Sequence, residues 1–280
     1  MKQGIGHSHS EGNVGYSQFV KRFLEFLLLL GPCLLGVRSI QASAEGGVLM
    51  IGDSLSVGRV SKTLQPLFER ETGLSARVVA SCGSRPRDWT KTQPRYSTNC
   101  GFYDLSASHR EEVKYREALK NPHSTPKLSE LLEEEKPSVL VIQQGTNMFG
   151  DLSTPTKIAT ARRELRALLE GVFSSRSPPR QCLWVAPPDT SKWSSEEEDR
   201  MYHFIADEVS AHCKVFDSRT VTRYPVKPGW IADGIHYDQT WLGRSQQDNW
   251  SEAIAAQLGS MMAPNKQKET PRRPKSPGSH

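Results

Sequence analysis

Five short, mostly apolar segments separated by longer amphipathic ones constrain the fold of this chain most. The apolar segments have the length and composition of strands that are buried on both faces, and they comprise residues 48–51, 77–80, 138–142, 182–186 and 214–216. The amphipathic segments have helical spacing of their apolar residues, and they comprise residues 55–72, 128–135, 156–173, 195–212 and 249–262. This alternation predicts the α/β class, with a mainly parallel five-stranded sheet in a three-layer α/β/α sandwich.

The chain of 280 residues divides into a leader, a folded domain and a tail. We assign residues 1–44 to the leader, 45–264 to the domain and 265–280 to the tail. The tail is rich in Pro, Ser, Lys and Arg and has no apolar periodicity, so we expect it to be disordered. Its basic charge could contact an anionic cell surface.

The formal net charge of +5 lies in the two terminal segments. The tail has five Lys and Arg against one Glu, and the leader has four against two. The domain between them is therefore close to neutral. A nucleic-acid-binding domain carries a basic face of its own, so this charge distribution argues against nucleic acid as a partner.

The leader has the composition of an export signal. Residues 26–37 read FLLLLGPCLLGV, with Lys21 and Arg22 before them and an A-x-A site ending at Ala44 after them. A basic flank, a short apolar run and small residues at the cleavage site are typical of a secretory signal peptide. Such a signal would direct the protein to the periplasm or the extracellular space, with cleavage near Ala44. The alternative is an uncleaved N-terminal anchor, although a comfortable bilayer span needs about 20 apolar residues.

Four cysteines remain once the signal peptide is removed, and an even number in an exported protein suggests two disulfides. We favour Cys82–Cys100 and Cys182–Cys213, because each pair closes a local loop. The alternative is four buried free thiols. The sequence contains no CxxC pair, so we do not expect a zinc site.

Residues that can carry chemistry follow the predicted strands at their carboxyl ends, where ligands bind in such a sheet. Ser54 follows the first strand at a tight turn that exposes its hydroxyl. Gly83 follows the second strand and lets a backbone N–H approach a ligand. Asn147 follows the third strand and could donate to an oxyanion. Far downstream, Asp233 and His236 are spaced so that the carboxylate could orient the imidazole.

The order of these residues closely resembles that of the SGNH hydrolases, also called the GDSL esterases and lipases. The resemblance rests on IGDSLSVG at residues 51–58, on Gly83, on GTNM at residues 145–148 and on DGIH at residues 233–236. It covers most of the chain after the leader. Met148 stands where the family usually has Asp. The oxyanion role belongs to the Asn, so we expect the chemistry to survive, and the departure concerns only the local hydrogen bonding around Asn147.

The resemblance implies a flavodoxin-like fold and a serine esterase mechanism that uses no metal and no cofactor. It implies Ser54 as the nucleophile, His236 as the general base and Asp233 as the residue that orients the imidazole. The backbone N–H groups of Ser54 and Gly83 and the side-chain amide of Asn147 would form the oxyanion hole.

Residues 84–126 form a long polar segment between the second and third predicted strands, and we interpret it as an insertion over the site. Arg85 and Trp89 in this segment could contact the substrate, as could Tyr237 directly after His236. Each has an alternative role, at the surface for Arg85 and Trp89 and in the core for Tyr237.

Export, polar loops with Trp and Tyr, and the lack of an evident apolar lid favour a secreted carbohydrate esterase that removes O-acetyl groups from a cell-wall or extracellular glycan. A lipase, lysophospholipase or acyl-thioesterase is the alternative, and it would need an apolar trough for a long acyl chain. A non-catalytic glycan-binding protein and an O-acetyltransferase are further alternatives. We expect a monomer whose partner is an O-acylated glycan or another ester.

Overall fold

A mixed seven-stranded sheet forms the centre of the part of the chain that the structure describes. The computed structural model describes residues 46–224, 233–237 and 240–263, so the expected signal peptide and basic tail lie outside the described residues. The strands in chain order are β1 (Val48–Gly52), β2 (Ala76–Ser81), β3 (Ser97–Thr98), β4 (Phe102–Leu105), β5 (Arg110–Val113), β6 (His123–Ser124), β7 (Val139–Gln143), β8 (Gln181–Val185) and β9 (Lys214–Phe216). The order within the sheet is β5-β4-β2-β1-β7-β8-β9, and β3 pairs with β6 apart from it.

Five strands of the sheet, β2, β1, β7, β8 and β9, run parallel to one another, and the prediction of a mainly parallel sheet is confirmed. The prediction of five strands is wrong, because the segment 84–126 adds β4 antiparallel to β2 and β5 antiparallel to β4. The outermost strand, β5, reads REEV, and such charged side chains discourage pairing of a sheet edge with another chain. The insertion is therefore partly an extension of the sheet.

Helices cover both faces of the sheet and produce three layers. They are α1 (Arg59–Thr72), α2 (Tyr115–Ala118), α3 (Leu128–Glu135), α4 (Pro155–Phe173), α5 (Ser195–Val209) and α6 (Trp241–Met262). Val48 and Met50 of β1 share an apolar cluster with α1 and α6, whereas Leu49 and Ile51 share one with α3, α4 and α5. Successive side chains of a strand point to opposite faces, so β1 is buried on both sides. None of the helices among the described residues has both the length and the apolar composition needed to cross a membrane.

The order of the five parallel strands reverses between β1 and β7. Along the sheet they occur as the second, first, third, fourth and fifth parallel strand of the chain, which is the flavodoxin-like order. In open α/β sheets a ligand-binding crevice lies beyond the carboxyl ends of the strands at such a reversal. The chain segments at this crevice are the ones that follow β1 and β7.

Two disulfides connect the strands to neighbouring segments. Cys82–Cys100 joins the segment after β2 to the segment before β4, with a Cα–Cα distance of 5.5 Å. Cys182–Cys213 joins β8 to the residue before β9, with a Cα–Cα distance of 4.4 Å. These are the two pairs that the sequence favours. Structural disulfides are typical of exported proteins in an oxidising environment.

Candidate active site

Ser54 begins the turn that follows β1. It is the first residue of the 3-10 helix Ser54–Ser56, and Asp53 caps this helix by accepting a hydrogen bond from the backbone N–H of Leu55 at 3.0 Å. Ser54 is partly exposed, while Asp53 and Leu55 beside it are buried. The turn therefore presents the hydroxyl of Ser54 at the carboxyl edge of the sheet, where the strand order reverses.

Ser54, His236 and Asp233 form a chain of hydrogen bonds. Oγ of Ser54 lies 2.8 Å from Nε2 of His236, although the two residues are 182 positions apart. Nδ1 of the same ring lies 2.5 Å from Oδ2 of Asp233. The other oxygen of Asp233 accepts hydrogen bonds from the backbone N–H groups of Ile235 and His236, both at 2.8 Å. The turn thus holds the imidazole between a carboxylate and the serine hydroxyl.

The carboxyl group of Asp233 is suited to hold a charge. Its partial burial raises the pKa, but the hydrogen bonds from His236 and from the backbone of Ile235 lower it more, so that the pKa lies below its ordinary value. A carboxylate at Nδ1 favours the tautomer of His236 that has its proton there. Nε2 is then the acceptor for the hydroxyl proton of Ser54.

Gly83 and Asn147 lie in the segments that follow β2 and β7, the two neighbours of β1 in the sheet. Gly83 has a φ of +78°, a conformation that favours glycine. Nδ2 of Asn147 donates to the carbonyl oxygen of Ser84 at 3.0 Å, and a side-chain amide has a second N–H to offer. In the described part of the chain, the backbone N–H groups of Ser54 and Gly83 donate to no protein acceptor. All three groups can therefore donate to a ligand.

A buried polar network lies beneath the serine turn. Burial raises the pKa of Asp53 to about 6, although the hydrogen bond from Leu55 and the side chains of Gln143 and Thr146 oppose this shift. The amide oxygen of Gln143 accepts hydrogen bonds from Oγ of Ser56 at 2.8 Å and from the backbone N–H of Asp53 at 3.2 Å. The network ties the turn after β1 to the end of β7.

Arg85, an expected substrate contact, belongs to a charged cluster. Its guanidinium donates to Glu164 at 3.0 and 3.1 Å and pairs with Asp151, and Arg87 donates to the other oxygen of Glu164 at 3.3 Å. Nη1 of Arg85 also donates to the carbonyl oxygen of Asn147 at 3.4 Å. Arg85 thus connects the segments that follow Gly83 and β7, and its contact with substrate stays a prediction.

Trp89 and Tyr237, the other two expected substrate contacts, are buried. Trp89 has no exposed surface, and its indole Nε1 donates to Oγ of Ser84 at 3.2 Å. Tyr237 is 5% exposed, and its hydroxyl donates to the carbonyl oxygen of Asp189 at 2.8 Å. The structure thus places both residues in the protein interior, and a contact with substrate stays a prediction. Both aromatic rings are buried in the protein and each polar group has a protein partner, as is usual for buried Trp and Tyr.

Tyr96 is a residue of the site that the sequence did not single out. Its hydroxyl donates to the carbonyl oxygen of Cys82 at 3.0 Å, directly before Gly83. Part of the segment 84–126 thus lies against the residues after β2. A tyrosine in a polar segment has no pattern of its own, and only the pairing of Cys82 with Cys100 indicates that this segment returns to Gly83.

Met148, the residue after Asn147, is held by apolar packing. It is fully buried in the apolar cluster beneath the sheet face that α3, α4 and α5 cover. The preceding residue, Asn147, is held instead by Ser84 and Arg85. Among the residues that the structure describes, no three His, Cys, Asp or Glu side chains are grouped so that they could hold a metal ion.

No protein-family model and no curated protein matches the chain. Solved structures with a similar fold include one described as a "putative arylesterase" from Agrobacterium tumefaciens, which is 18% identical with a TM-score of 0.48 over 77% of this chain and 99% of that one. A salicylyl-acyltransferase from a tetracycline biosynthetic pathway is 14% identical, with a TM-score of 0.44 over 80% of this chain and 57% of that one. At such identities and scores, the activity of this chain has to be argued from its own residues.

Proposed function

We propose that the protein is a serine esterase that works through an acyl-enzyme. The observation that carries the proposal is the position of His236, with Nε2 at 2.8 Å from Oγ of Ser54 and Nδ1 at 2.5 Å from Asp233. A serine hydroxyl is a weak nucleophile until an adjacent base accepts its proton, and that base works best when a carboxylate orients it. These three side chains supply each of those parts.

The reaction proceeds in two steps. Nε2 of His236 accepts the proton of Ser54 as Oγ attacks the ester carbonyl carbon, and the protonated ring then donates that proton to the leaving alcohol. This leaves the acyl group on Oγ. Water attacks the acyl-enzyme with His236 again as base, and the carboxylic acid leaves as Ser54 regains its proton. Asp233 stabilises the imidazolium in both steps.

The negative charge on the carbonyl oxygen needs donors in each tetrahedral intermediate. The backbone N–H groups of Ser54 and Gly83 and the amide of Asn147 are assigned to this role. Their segments adjoin at the carboxyl edge of β1, β2 and β7, and Ser84 connects two of them through its hydrogen bond from Asn147. Donors that are oriented before the reaction stabilise the transition state without reorganising.

The proposed substrate is an O-acetyl group on a carbohydrate or cell-wall glycan. In support, the side chains of His236 and Asp233 are 46% and 51% exposed, so a bulky carrier of the ester can approach them. A cavity of about 300 Å³ lies between the 3-10 helix Pro86–Trp89, α3 and α4, and its lining includes no residue of the serine–histidine chain. A lipase, lysophospholipase or thioesterase would need an apolar trough that begins at Ser54.

Two further alternatives use the same fold. An O-acetyltransferase would pass the acyl group from Ser54 to a sugar hydroxyl instead of water. A glycan-binding protein would have the same fold but no catalytic role for Ser54. The hydrogen bond between Ser54 and His236 favours a catalytic role over the second of these.

Export is part of the proposal. The two disulfides favour an oxidising compartment, and the composition of residues 1–44 favours a secretory signal that is cleaved near Ala44. The exported enzyme would act as a monomer on an O-acylated glycan, with its basic tail at 265–280 against an anionic cell surface.

The test compares initial rates of the purified protein on 4-nitrophenyl acetate, butyrate and octanoate. Ser54→Ala is the active-site variant, and Ser108→Ala, at an exposed serine, is its matched control. We expect turnover that is highest on acetate, that is lost in Ser54→Ala and that is retained in Ser108→Ala. A preference for octanoate would replace the deacetylase with a lipid or thioester hydrolase. Equal rates in wild type and Ser54→Ala would contradict the serine mechanism.

A further inference from the structure

The hydroxyl of Tyr96 contacts the peptide bond that supplies one of the proposed oxyanion donors. It donates to the carbonyl oxygen of Cys82 at 3.0 Å. That carbonyl and the backbone N–H of Gly83 belong to the same peptide group. Tyr96 comes from the segment 84–126 and lies 14 residues from Cys82 in sequence, so the contact is not a local turn.

We propose that Tyr96 is a positioning residue that orients and polarises the Cys82–Gly83 peptide so that its N–H donates to the oxyanion. The proposal rests on the proposed esterase function, because it assigns Tyr96 a role in that reaction. It assigns no direct contact between Tyr96 and the substrate.

Peptide geometry explains how a bond to the carbonyl acts on the N–H. The peptide group is planar and trans, so its C=O and N–H point in opposite directions. A donor that holds the oxygen of Cys82 therefore also fixes the direction of the N–H of Gly83. A hydrogen bond accepted by a carbonyl also polarises the amide, and its N–H becomes a stronger donor. Both effects act on the N–H of Gly83, one of the three proposed oxyanion donors.

The missing side chain of Gly83 makes this contact possible. A Cβ atom built on Gly83 would lie 2.6 Å from Oη of Tyr96, closer than real contacts allow. The φ of +78° at Gly83 is a second and independent reason for glycine. The residue that permits the backbone turn thus also leaves room for the tyrosine hydroxyl.

Other contacts fix Tyr96 in place. The backbone N–H of Thr125 donates to its carbonyl oxygen at 2.7 Å, and the disulfide Cys82–Cys100 joins both ends of the loop. Burial and the nearby charge of Asp88 raise the pKa of the Tyr96 phenol, against an opposing contact with Thr98. The phenol therefore remains protonated at neutral pH and can act as the donor.

The test compares Tyr96→Phe with Tyr103→Phe, which removes a hydroxyl from a buried tyrosine of the same segment whose ring lies under Lys62. For Tyr96→Phe we expect a kcat on 4-nitrophenyl acetate about 2- to 13-fold lower, the effect of losing one ordinary hydrogen bond. KM should stay within about twofold, and Tyr103→Phe should leave kcat unchanged. The affinity for phenylboronic acid, which forms a tetrahedral adduct with a serine oxygen, should fall by the same factor as kcat.

Nuclear magnetic resonance of the resting protein provides a measurement that needs no turnover. The amide signal of Gly83 should shift in Tyr96→Phe and not in Tyr103→Phe. An unchanged kcat in Tyr96→Phe, whether or not its melting temperature falls, would overturn the positioning role while leaving the esterase intact. If the turnover of the wild-type protein were no greater than that of Ser54→Ala, the proposed esterase function itself would be overturned, and with it the role of Tyr96.

Discussion

Nδ2 of Asn147 donates to the carbonyl oxygen of Ser84 at 3.0 Å. The bond connects the 3-10 helix after β7 with the residue after Gly83, so two proposed oxyanion donors from separate strands are held in one arrangement. Ser84 is fully buried, and its hydroxyl accepts a hydrogen bond from Trp89 at 3.2 Å. The donors are therefore supported from the interior of the protein, as preorganised stabilisation of charge requires.

Replacing Asn147 by Ala should lower kcat by about 100- to 1,000-fold, the usual effect of removing one oxyanion donor. KM should change little, because the donor acts on charge that develops after binding. Steady-state rates on 4-nitrophenyl acetate measure both, with Asn121→Ala, at an exposed asparagine of the insertion, as the control. A kcat within a factor of three of wild type would remove Asn147 from the oxyanion hole.

Arg85→Met should destabilise the fold by about 2 to 4 kcal/mol, since it leaves the buried carboxylate of Glu164 with Arg87 as its remaining partner. The double variant Arg85→Met/Glu164→Met should recover much of this loss because it removes the unpaired charge. Urea unfolding measures the free energies. If KM rose tenfold in Arg85→Met with no loss of stability, Arg85 would contact the substrate after all.

The fold was predictable from the sequence where the strands are apolar throughout. Runs such as 139–142 are buried on both faces, and such composition indicates a parallel strand without further information. The antiparallel strands β4 and β5 have no such signal. Asp104 in β4 is buried and pairs at 2.8 Å with Arg77 of β2, a residue 27 positions away in the sequence.

The candidate site was predictable only to the extent that its residues follow strands or resemble family motifs. Ser54, Asp233 and His236 come from motifs of that kind, and the structure places them within hydrogen-bonding distance. Trp89 and Tyr96 are both aromatic residues in the same polar segment, and the sequence does not distinguish between them. One is buried against Ser84 and the other contacts Cys82, because long-range contacts decide their positions.

The two disulfides should contribute similarly to stability but differently to activity. Replacing either pair by Ser should lower the free energy of unfolding by about 3 kcal/mol, since they close loops of 18 and 31 residues. Only Cys82→Ser/Cys100→Ser should also lower kcat, because Cys82 precedes Gly83 and Cys100 anchors the Tyr96 loop. The buried pair Cys182–Cys213 is the matched control. Equal kcat values for both double variants would contradict a role of the first disulfide in the site.

The difference in the free energy of unfolding between Asp53→Asn and wild type should change with pH in favour of the variant as the pH rises. Burial raises the pKa of Asp53 to about 6 from 3.8. The folded state therefore holds the proton more tightly, and the free energy of unfolding decreases as the pH rises from about 4 to about 6. The variant lacks this loss, so its advantage should grow by on the order of 3 kcal/mol over that interval. Urea unfolding at pH 4, 5, 6 and 8 measures it, and a difference that is constant with pH would contradict the shift.

A double-mutant cycle on Gly83 and Tyr96 separates the two reasons for glycine. Gly83→Ala alone should lower the free energy of unfolding by about 1 to 2 kcal/mol because of the φ of +78°. The 2.6 Å approach of its methyl carbon to Oη of Tyr96 should lower it further. Tyr96→Phe removes the hydroxyl and relieves the second loss but not the first. Gly83→Ala should therefore cost less in the Tyr96→Phe background than in wild type, by about 1 kcal/mol in urea unfolding.

Activity should not recover in that double variant. The hydroxyl that orients the Cys82–Gly83 peptide is absent there, so kcat should stay at or below the value of Tyr96→Phe alone. If the stability changes of Gly83→Ala and Tyr96→Phe were strictly additive, the methyl group and the hydroxyl would not be in steric contact. In that case the φ at Gly83 would be the sole reason for glycine at this position.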